Sequence, residues 1–189
     1  WLEKAVDHST LREFRPGHPD LPWITERVDL PAGMRATGVE VIGLETGVVA
    51  LVDFLSVGDV GTVVNPRSLI GQLNGGCCLG IAHALFQKLV YDPHYGVSLA
   101  RRFHYNKPLT ILDVPEMKAV ALDIPDPETP TGAKGVGEPP VGAGYGAVLN
   151  AIADAIGVDA FRRAPVTSDV VLQSLTTGRR THPPLQAHV

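Results

Sequence analysis

Gly135-Val136-Gly137-Glu138-Pro139-Pro140 places a single carboxylate in a glycine-proline loop directly ahead of a helical pattern. After it, Val141, Tyr145, Val148, Leu149, Ile152 and Ile156 recur at i, i+4, i+7, i+8, i+11 and i+15, one apolar face of a 3.6-residue period. Glu138 therefore stands just outside a helix N-terminus. Both prolines have fixed φ and no N–H, which suits a helix start, and Pro139 biases Glu138 toward an extended backbone. The helix dipole favours the ionised carboxylate by about 0.3–1 kcal/mol, whereas burial raises its pKa. A contest of this kind suits a general base. The plain alternative is an ordinary solvated acid, but such an acid requires no glycines beside it. Gly135 and Gly137 imply either an unusual φ or close approach of the backbone to a ligand.

Working upstream, Val114 to Ile124 reads as a strand, and a proline-rich approach from Pro125 to Pro130 leads into the loop. Thr37 to Leu44 and Val48 to Val57 are β-rich runs separated by Glu45-Thr46-Gly47, whose glycine suits a turn with positive φ. A hairpin is expected. Its second run is apolar on both faces, as for a strand in the middle of a sheet. Residues 1–36 contain Pro16, Pro19, Pro22 and Pro31 and read as a short helix near Leu2 to Phe14 followed by an extended, wrapping segment.

Between the hairpin and the third strand, Asn65-Pro66 starts a helix, with Asn as N-cap and Pro at the first position, that is expected to run to about Leu89. Gly71, Gly75, Gly76 and Gly80 lie inside it and together forfeit about 4 kcal/mol of helix propensity. The spacings 71/75 and 76/80 form two rows of small residues that admit either a second helix or a flat ligand. Gln72 is the polar group that such a ligand would meet. Beyond Ile156, a link containing Pro165 leads to a last helix capped by Thr167 or Ser168 and stopped by Gly178. The order β-β-α-β-α-α gives an α+β fold with a mixed sheet and packed helices.

Composition excludes several classes. At 189 residues, one domain is expected, and 44% hydrophobic with 19% charged residues describes a well-buried segment with an apolar surface available to other subunits. A net charge of −4 and arginine pairs without interleaved aromatics argue against a nucleic-acid partner. No run reaches the length of a membrane span. The adjacent Cys77-Cys78 make an improbable disulfide and are too few for an iron-sulfur cluster or a four-cysteine zinc site. They read as small buried residues, and no metal ligated by the protein itself is assigned. Gly142-Ala143-Gly144-Tyr145-Gly146-Ala147 satisfies the dinucleotide fingerprint G-x-G-x-x-A, but Pro139-Pro140 stands where the preceding strand should be.

The assembled motifs resemble the xanthine dehydrogenase and aldehyde oxidase family, specifically the C-terminal part of its molybdopterin-binding subunit, over about residues 37 to 176. The resemblance rests on Val39-Glu40-Val41 with Glu45-Thr46-Gly47, Asp59-Val60-Gly61 with Asn65-Pro66, Gly71-Gln72 with Gly75-Gly76 and Gly80, Asp113-Val114-Pro115-Glu116, and Gly132 through Pro140, in that order. It implies that Glu138 is the active-site base beside molybdenum, that Gln72 contacts the pterin, and that the backbone of Val136 and Gly137 lies against the cofactor. The implied reaction is oxidation of an aldehyde or N-heterocycle with oxygen from water, Glu138 taking the proton from the attacking hydroxyl. Molybdenum would be held by molybdopterin, in a form that includes the cytosine dinucleotide as an option.

The family's upstream glycine-rich cofactor loops, its 2Fe-2S centres and its FAD module have no counterpart in this chain. The resemblance therefore implies partner chains or domains that carry them, half of a cofactor cradle here, and no activity from the chain alone. It also implies a cytoplasmic enzyme, or a periplasmic one exported with a partner. The expected layout is a leading segment over 1–36, a molybdopterin-binding domain over 37–180 and a loose tail over 181–189. A non-catalytic structural or assembly subunit is the alternative.

Overall fold

A computed structural model describes residues 2–4, 34–43, 45–157 and 160–178. Four strands, β1 (Leu2–Lys4), β2 (Met34–Ile42), β3 (Val49–Gly58) and β4 (Glu116–Ala121), form one sheet in the order β1-β2-β3-β4. β1 and β3 run antiparallel to β2, and β4 runs parallel to β3. Three helices accompany them: α1 (Pro66–Leu85), α2 (Pro139–Ile156) and α3 (Ser168–Thr177). The mixed sheet with packed helices is the α+β architecture expected from the element order.

The β2–β3 hairpin closes as its turn chemistry dictates. Gly47 takes a φ of 68°, its N–H donates to the Gly43 carbonyl at 2.7 Å, and the Gly43 N–H donates to Val48 at 2.9 Å. β3 lies inside the sheet, but its two faces differ. Phe54, Ser56 and Gly58 on one face are buried, whereas Asp53, Leu55 and Val57 on the other are half-buried and Val52, at the register shift against β2, is 52% exposed, so the expectation of two buried faces is corrected. The helices cover one face only, and β branching at Val52 serves strand propensity rather than burial.

The expected helix near Leu2 to Phe14 is also corrected at its start, because Leu2–Lys4 pairs as a strand with Glu40–Ile42. Satisfying the backbone groups of an open β2 edge outweighs a weak local helical preference. The remainder of that expected helix lies outside the described residues. β4 is shorter than the Val114–Ile124 run, since its register with β3 ends where Gly58 meets Ala121.

α1 begins as read, with the Asn65 side chain accepting the Ser68 N–H at 3.1 Å and Pro66 at the first turn. It ends at Leu85, four residues before the expected Leu89. The Phe86 and Gln87 N–H groups both converge on the Ala82 carbonyl, at 2.9 and 2.8 Å, which breaks the i→i−4 ladder. α2 runs through the whole expected pattern, but its fully buried seam is Pro140, Gly144, Val148 and Ile152, rotated from the predicted face. α3 starts after Thr167 and stops at Gly178, which adopts a left-handed φ of 61°.

Phe54 from β3, Ile42 from β2, Cys77 and Ile81 from α1, Val148 and Ile152 from α2 and Val171 from α3 form the core beneath the helical face. The helices themselves cross through glycine. A Cβ on Gly76 would stand 2.7 Å from the Pro140 side chain, and one on Gly144 would stand 2.9 Å from the Cys77 carbonyl oxygen. A Cβ on Gly80 would fall onto the Val141 carbonyl and lie 2.6 Å from the Tyr145 nitrogen. A Cβ on Gly71 or Gly75, by contrast, would meet nothing within 4 Å. The two rows inferred for α1 thus separate, 76/80 into helix packing and 71/75 onto an open surface.

Opposite responses to alanine are expected from the two rows. Gly80→Ala should destabilise the chain by roughly 1–3 kcal/mol through overpacking against backbone. Gly75→Ala should stabilise it by about 0.5–1 kcal/mol through helix propensity alone. Urea denaturation midpoints of the two variants provide the measurement.

Candidate functional site

β3 and β4 are parallel, so the loops that leave their carboxyl ends emerge on the same side of the sheet, the position at which open α/β sheets bind ligands. The loop after β3 spans residues 59–65 and ends at the start of α1. The loop after β4 spans residues 122–138 and ends at the start of α2. They cross in a short antiparallel bridge between Gly61 and Ala133. The Thr62 N–H donates to the Gly132 carbonyl at 2.7 Å, and the Lys134 N–H donates to Val60 at 2.9 Å.

This crossing is where positive φ is needed. Gly61 and Gly132 have φ of 67° and 71°, and a Cβ on Gly61 would strike the Gly132 carbonyl. Asp123, the non-glycine residue with positive φ at 50°, accepts the Val63 N–H at 2.8 Å and steadies the same loop from the other side. Aspartate tolerates this region better than most residues because its short carboxylate bonds locally.

A cavity of about 220 Å³ lies between the crossing and the first turns of α1, lined by Val60, Asn65, Ser68, Gln72, Lys134 and Val136 among others. The structure thus brings Gln72 and Val136 to one space. Gly137 does not line it but adjoins the next turn of α1, its carbonyl oxygen 3.5 Å from where a Cβ on Gly76 would stand. Glu138 is exposed at the N-cap of α2 and makes no side-chain capping bond.

The backbone at Glu138 differs from the extended form that Pro139 favours, with φ −90° and ψ −36°. The reason is the first turn of α2, in which the Glu138 carbonyl accepts the Val141 N–H at 2.9 Å. That bond requires the carbonyl to point along the helix. Gly135 and Gly137 are not among the positive-φ residues, and a Cβ on either would meet nothing within 4 Å. Unusual φ therefore does not account for the glycines beside Glu138, and the space over both is open.

The residues present fit a flat, polar group. Four glycines, Gly71, Gly75, Gly135 and Gly137, leave bare backbone where side chains would otherwise fill the space. Gln72 supplies an amide that both donates and accepts, and the loop offers main-chain N–H groups. A group of His, Cys, Asp or Glu able to ligate a metal is not found among the described residues.

Three other expectations can be placed. The G-x-G-x-x-A stretch lies wholly within α2, so its Gly144 serves packing against Cys77 rather than a strand-to-helix turn. Cys77 is fully buried and Cys78 half-buried, and both are free thiols. Asp59, Ser68 and Lys134 carry no individual signal in the sequence, and Asn65 is legible there only as a helix cap. Asp59-Val60-Gly61 and Gly132-Ala133-Lys134 carried a signal as motifs, but nothing local says that they meet.

Burial pushes the Cys77 thiol up to about 11, partly opposed by a hydrogen bond with Ser56, and burial also raises that of Cys78. Below the ordinary thiol value of 9.0 the protonated Cys77 contributes its full share to stability, and that share is lost as pH rises through about 11. Neither thiol is expected to react with an aromatic disulfide reagent at about pH 8 until the chain is unfolded. Thiol titration with and without denaturant checks this.

The sequence pattern of the molybdopterin cofactor-binding domain family matches residues 14–115, a stretch that includes α1 and ends before the Glu138 loop. The xanthine dehydrogenase molybdenum-binding subunit of Escherichia coli is 34% identical over 113 residues, 60% of this chain and 15% of that protein. The nicotine 6-hydroxylase large subunit of Paenarthrobacter nicotinovorans is 35% identical over 135 residues, 71% of this chain and 16% of that one. The crystal structure of quinoline 2-oxidoreductase from Pseudomonas putida 86 superposes with a TM-score of 0.67 at 29% identity, covering 74% of this chain and 18% of that one. The chain thus spans about a sixth of the length of the curated relatives it matches.

Proposed function

The chain belongs to the molybdopterin cofactor-binding domain family of the xanthine dehydrogenase and aldehyde oxidase type, and from that premise we propose that it forms one wall of the active site of a molybdenum hydroxylase. In this reading the assembled enzyme oxidises an aldehyde or N-heterocycle with oxygen from water. Glu138 is the general base, Gln72 hydrogen-bonds the pterin, and the backbone of Val136 and Gly137 lies against it. The observation that carries the reading is the bare backbone at Gly135 and Gly137 just ahead of Glu138, free of positive φ and open to a ligand.

The cofactor, when bound, supplies the two-electron oxidation and the oxygen that the substrate receives. This chain's part is to place a carboxylate and to take a proton. Glu138 stands exposed at the N-cap of α2 without a side-chain capping bond, so its carboxylate is not tied up by the chain itself. Pro139 and Pro140 add no N–H that would cap it, so its oxygens stay available. Gln72, on a rigid helix and one turn from the glycine crossing, orients the pterin edge. Gly71 and Gly75 let that edge come down to the helix backbone.

Residues 37–180 constitute the cofactor-binding unit in this proposal, with 1–36 leading into it. The remainder of the cradle, the 2Fe-2S centres and the FAD belong to other parts of the assembly, and the pterin form includes the cytosine dinucleotide. Exposed apolar side chains between α1 and β4 support such partners, among them Phe103, Ile111 and Leu112 at 75%, 88% and 92% exposure. Among the described residues no helix is long and apolar enough to cross a membrane.

Glu138→Gln in the assembled enzyme should lower kcat by about 10²–10⁴, the usual contribution of a general base, with molybdenum and pterin content unchanged. Normal turnover by this variant removes Glu138 from the chemistry. Gly75→Ala, which stabilises the isolated helix, should lower pterin content in the same assembly. Unchanged pterin content would show that this glycine row does not face the cofactor.

A further inference from the structure

We propose that Lys134 and Asp59 form a latch that positions the Glu138 loop, a role that rests on the assignment of Glu138 as the base. The Lys134 ammonium lies 2.6 Å from Asp59 Oδ2, and the two side chains are 26% and 22% exposed. The pair joins the two loops that leave the carboxyl ends of β3 and β4. Lys134 is held twice at this point, since its backbone N–H also donates to the carbonyl of Val60, the residue next to Asp59. The main-chain bond fixes where the loops cross, and the side-chain bond opposes rotation about that crossing.

The span beyond it explains why such a clamp matters. Between Lys134 and Glu138 stand Gly135, Val136 and Gly137, and a Cβ on either glycine would touch nothing within 4 Å. Two glycines in three residues leave the backbone freer than side-chain-bearing residues at the same positions would. Glu138 has no capping bond of its own to restrain it. The span is thus suspended between two clamps, Lys134 on Asp59 and Val60 at one end, and Pro140 against Gly76 at the other.

Asp59 shows what the latch costs when opened. Its second oxygen, Oδ1, is buried without a hydrogen-bond partner among the described residues, so the Lys134 ammonium on Oδ2 is what offsets this carboxylate's charge. Removing the ammonium leaves a partly buried carboxylate uncompensated and drives the two loops apart. The Asp59 carboxylate in turn raises the Lys134 pKa, with a smaller contribution from Asp126. The ammonium is therefore charged below the ordinary lysine value of 10.5, and the pairing is lost only as pH rises through the raised value.

The test uses the assembled molybdenum enzyme that contains this chain, with Lys134→Met, Lys134→Arg and Asp59→Asn beside Glu138→Gln. Lys134→Met and Asp59→Asn should raise amide exchange in the segments containing Thr62 and Lys134 by about tenfold, while the α1 segment around Ile81 keeps its protection. Both should lower kcat by up to about 10²-fold, the scale of a small misplacement of a reacting group, at unchanged molybdenum and pterin content. Lys134→Arg should recover most of both. Unchanged exchange at the crossing in Lys134→Met overturns the latch. So does an equal loss of protection in α1, or an arginine variant no better than methionine. Full turnover by Glu138→Gln would defeat the base assignment separately, and the exchange data would still decide the latch.

Discussion

The close crossing of α1 and α2 is the constraint on which the rest of this chain depends. Gly76, Gly80 and Gly144 admit the backbones of the two helices to a separation that any side chain would prevent, and Pro140 fills the space over Gly76. The roughly 2 kcal/mol of helix propensity forfeited at Gly76 and Gly80 is offset by dispersion contacts and by burial of Cys77, Ile81, Val148 and Ile152 around the seam. The crossing also has a directional consequence. It fixes the N-terminus of α2 against the third turn of α1, so the carbonyl of Gly137 meets Gly76 one turn from Gln72.

Sheet topology then determines what surrounds that junction. β3 and β4 are parallel neighbours, and a parallel pair needs a crossover, which α1 supplies. Both loops after these strands consequently rise on one side and bridge through Gly61 and Ala133. Positive φ at Gly61 and Gly132 is used to let backbone cross backbone, and bare backbone at Gly71, Gly75, Gly135 and Gly137 faces outward. The same residue type thus does two different jobs in one chain. One is internal packing, which the chain satisfies by itself, and the other leaves a surface for something else.

Local signals were legible wherever one residue decides one backbone state. Asn65-Pro66 started α1, Gly47 turned the hairpin and Gly178 stopped α3, because capping and positive φ are properties of a few adjacent residues. Glu138 was recognisable as a helix-end carboxylate for the same reason, although its αR backbone was decided by the bond from Val141 rather than by Pro139. The end of α1 at Leu85, the strand at Leu2–Lys4 and the half-buried face of β3 were not legible. Each depends on which neighbour the segment meets, and that neighbour is far away in sequence.

By itself the sequence determined the capped helices, the hairpin, the α+β order, the presence of a glycine-flanked carboxylate and the family to which its motifs correspond. Tertiary structure alone decided which glycines of α1 pack and which stay open, since the 71/75 and 76/80 rows are equivalent by composition and spacing. It also decided that Lys134 would find Asp59, 75 positions away. The physical reason is range. Propensity and capping act over one or two turns of chain, whereas steric exclusion at a helix crossing and the pairing of charges on separate loops exist only after distant segments have been brought together.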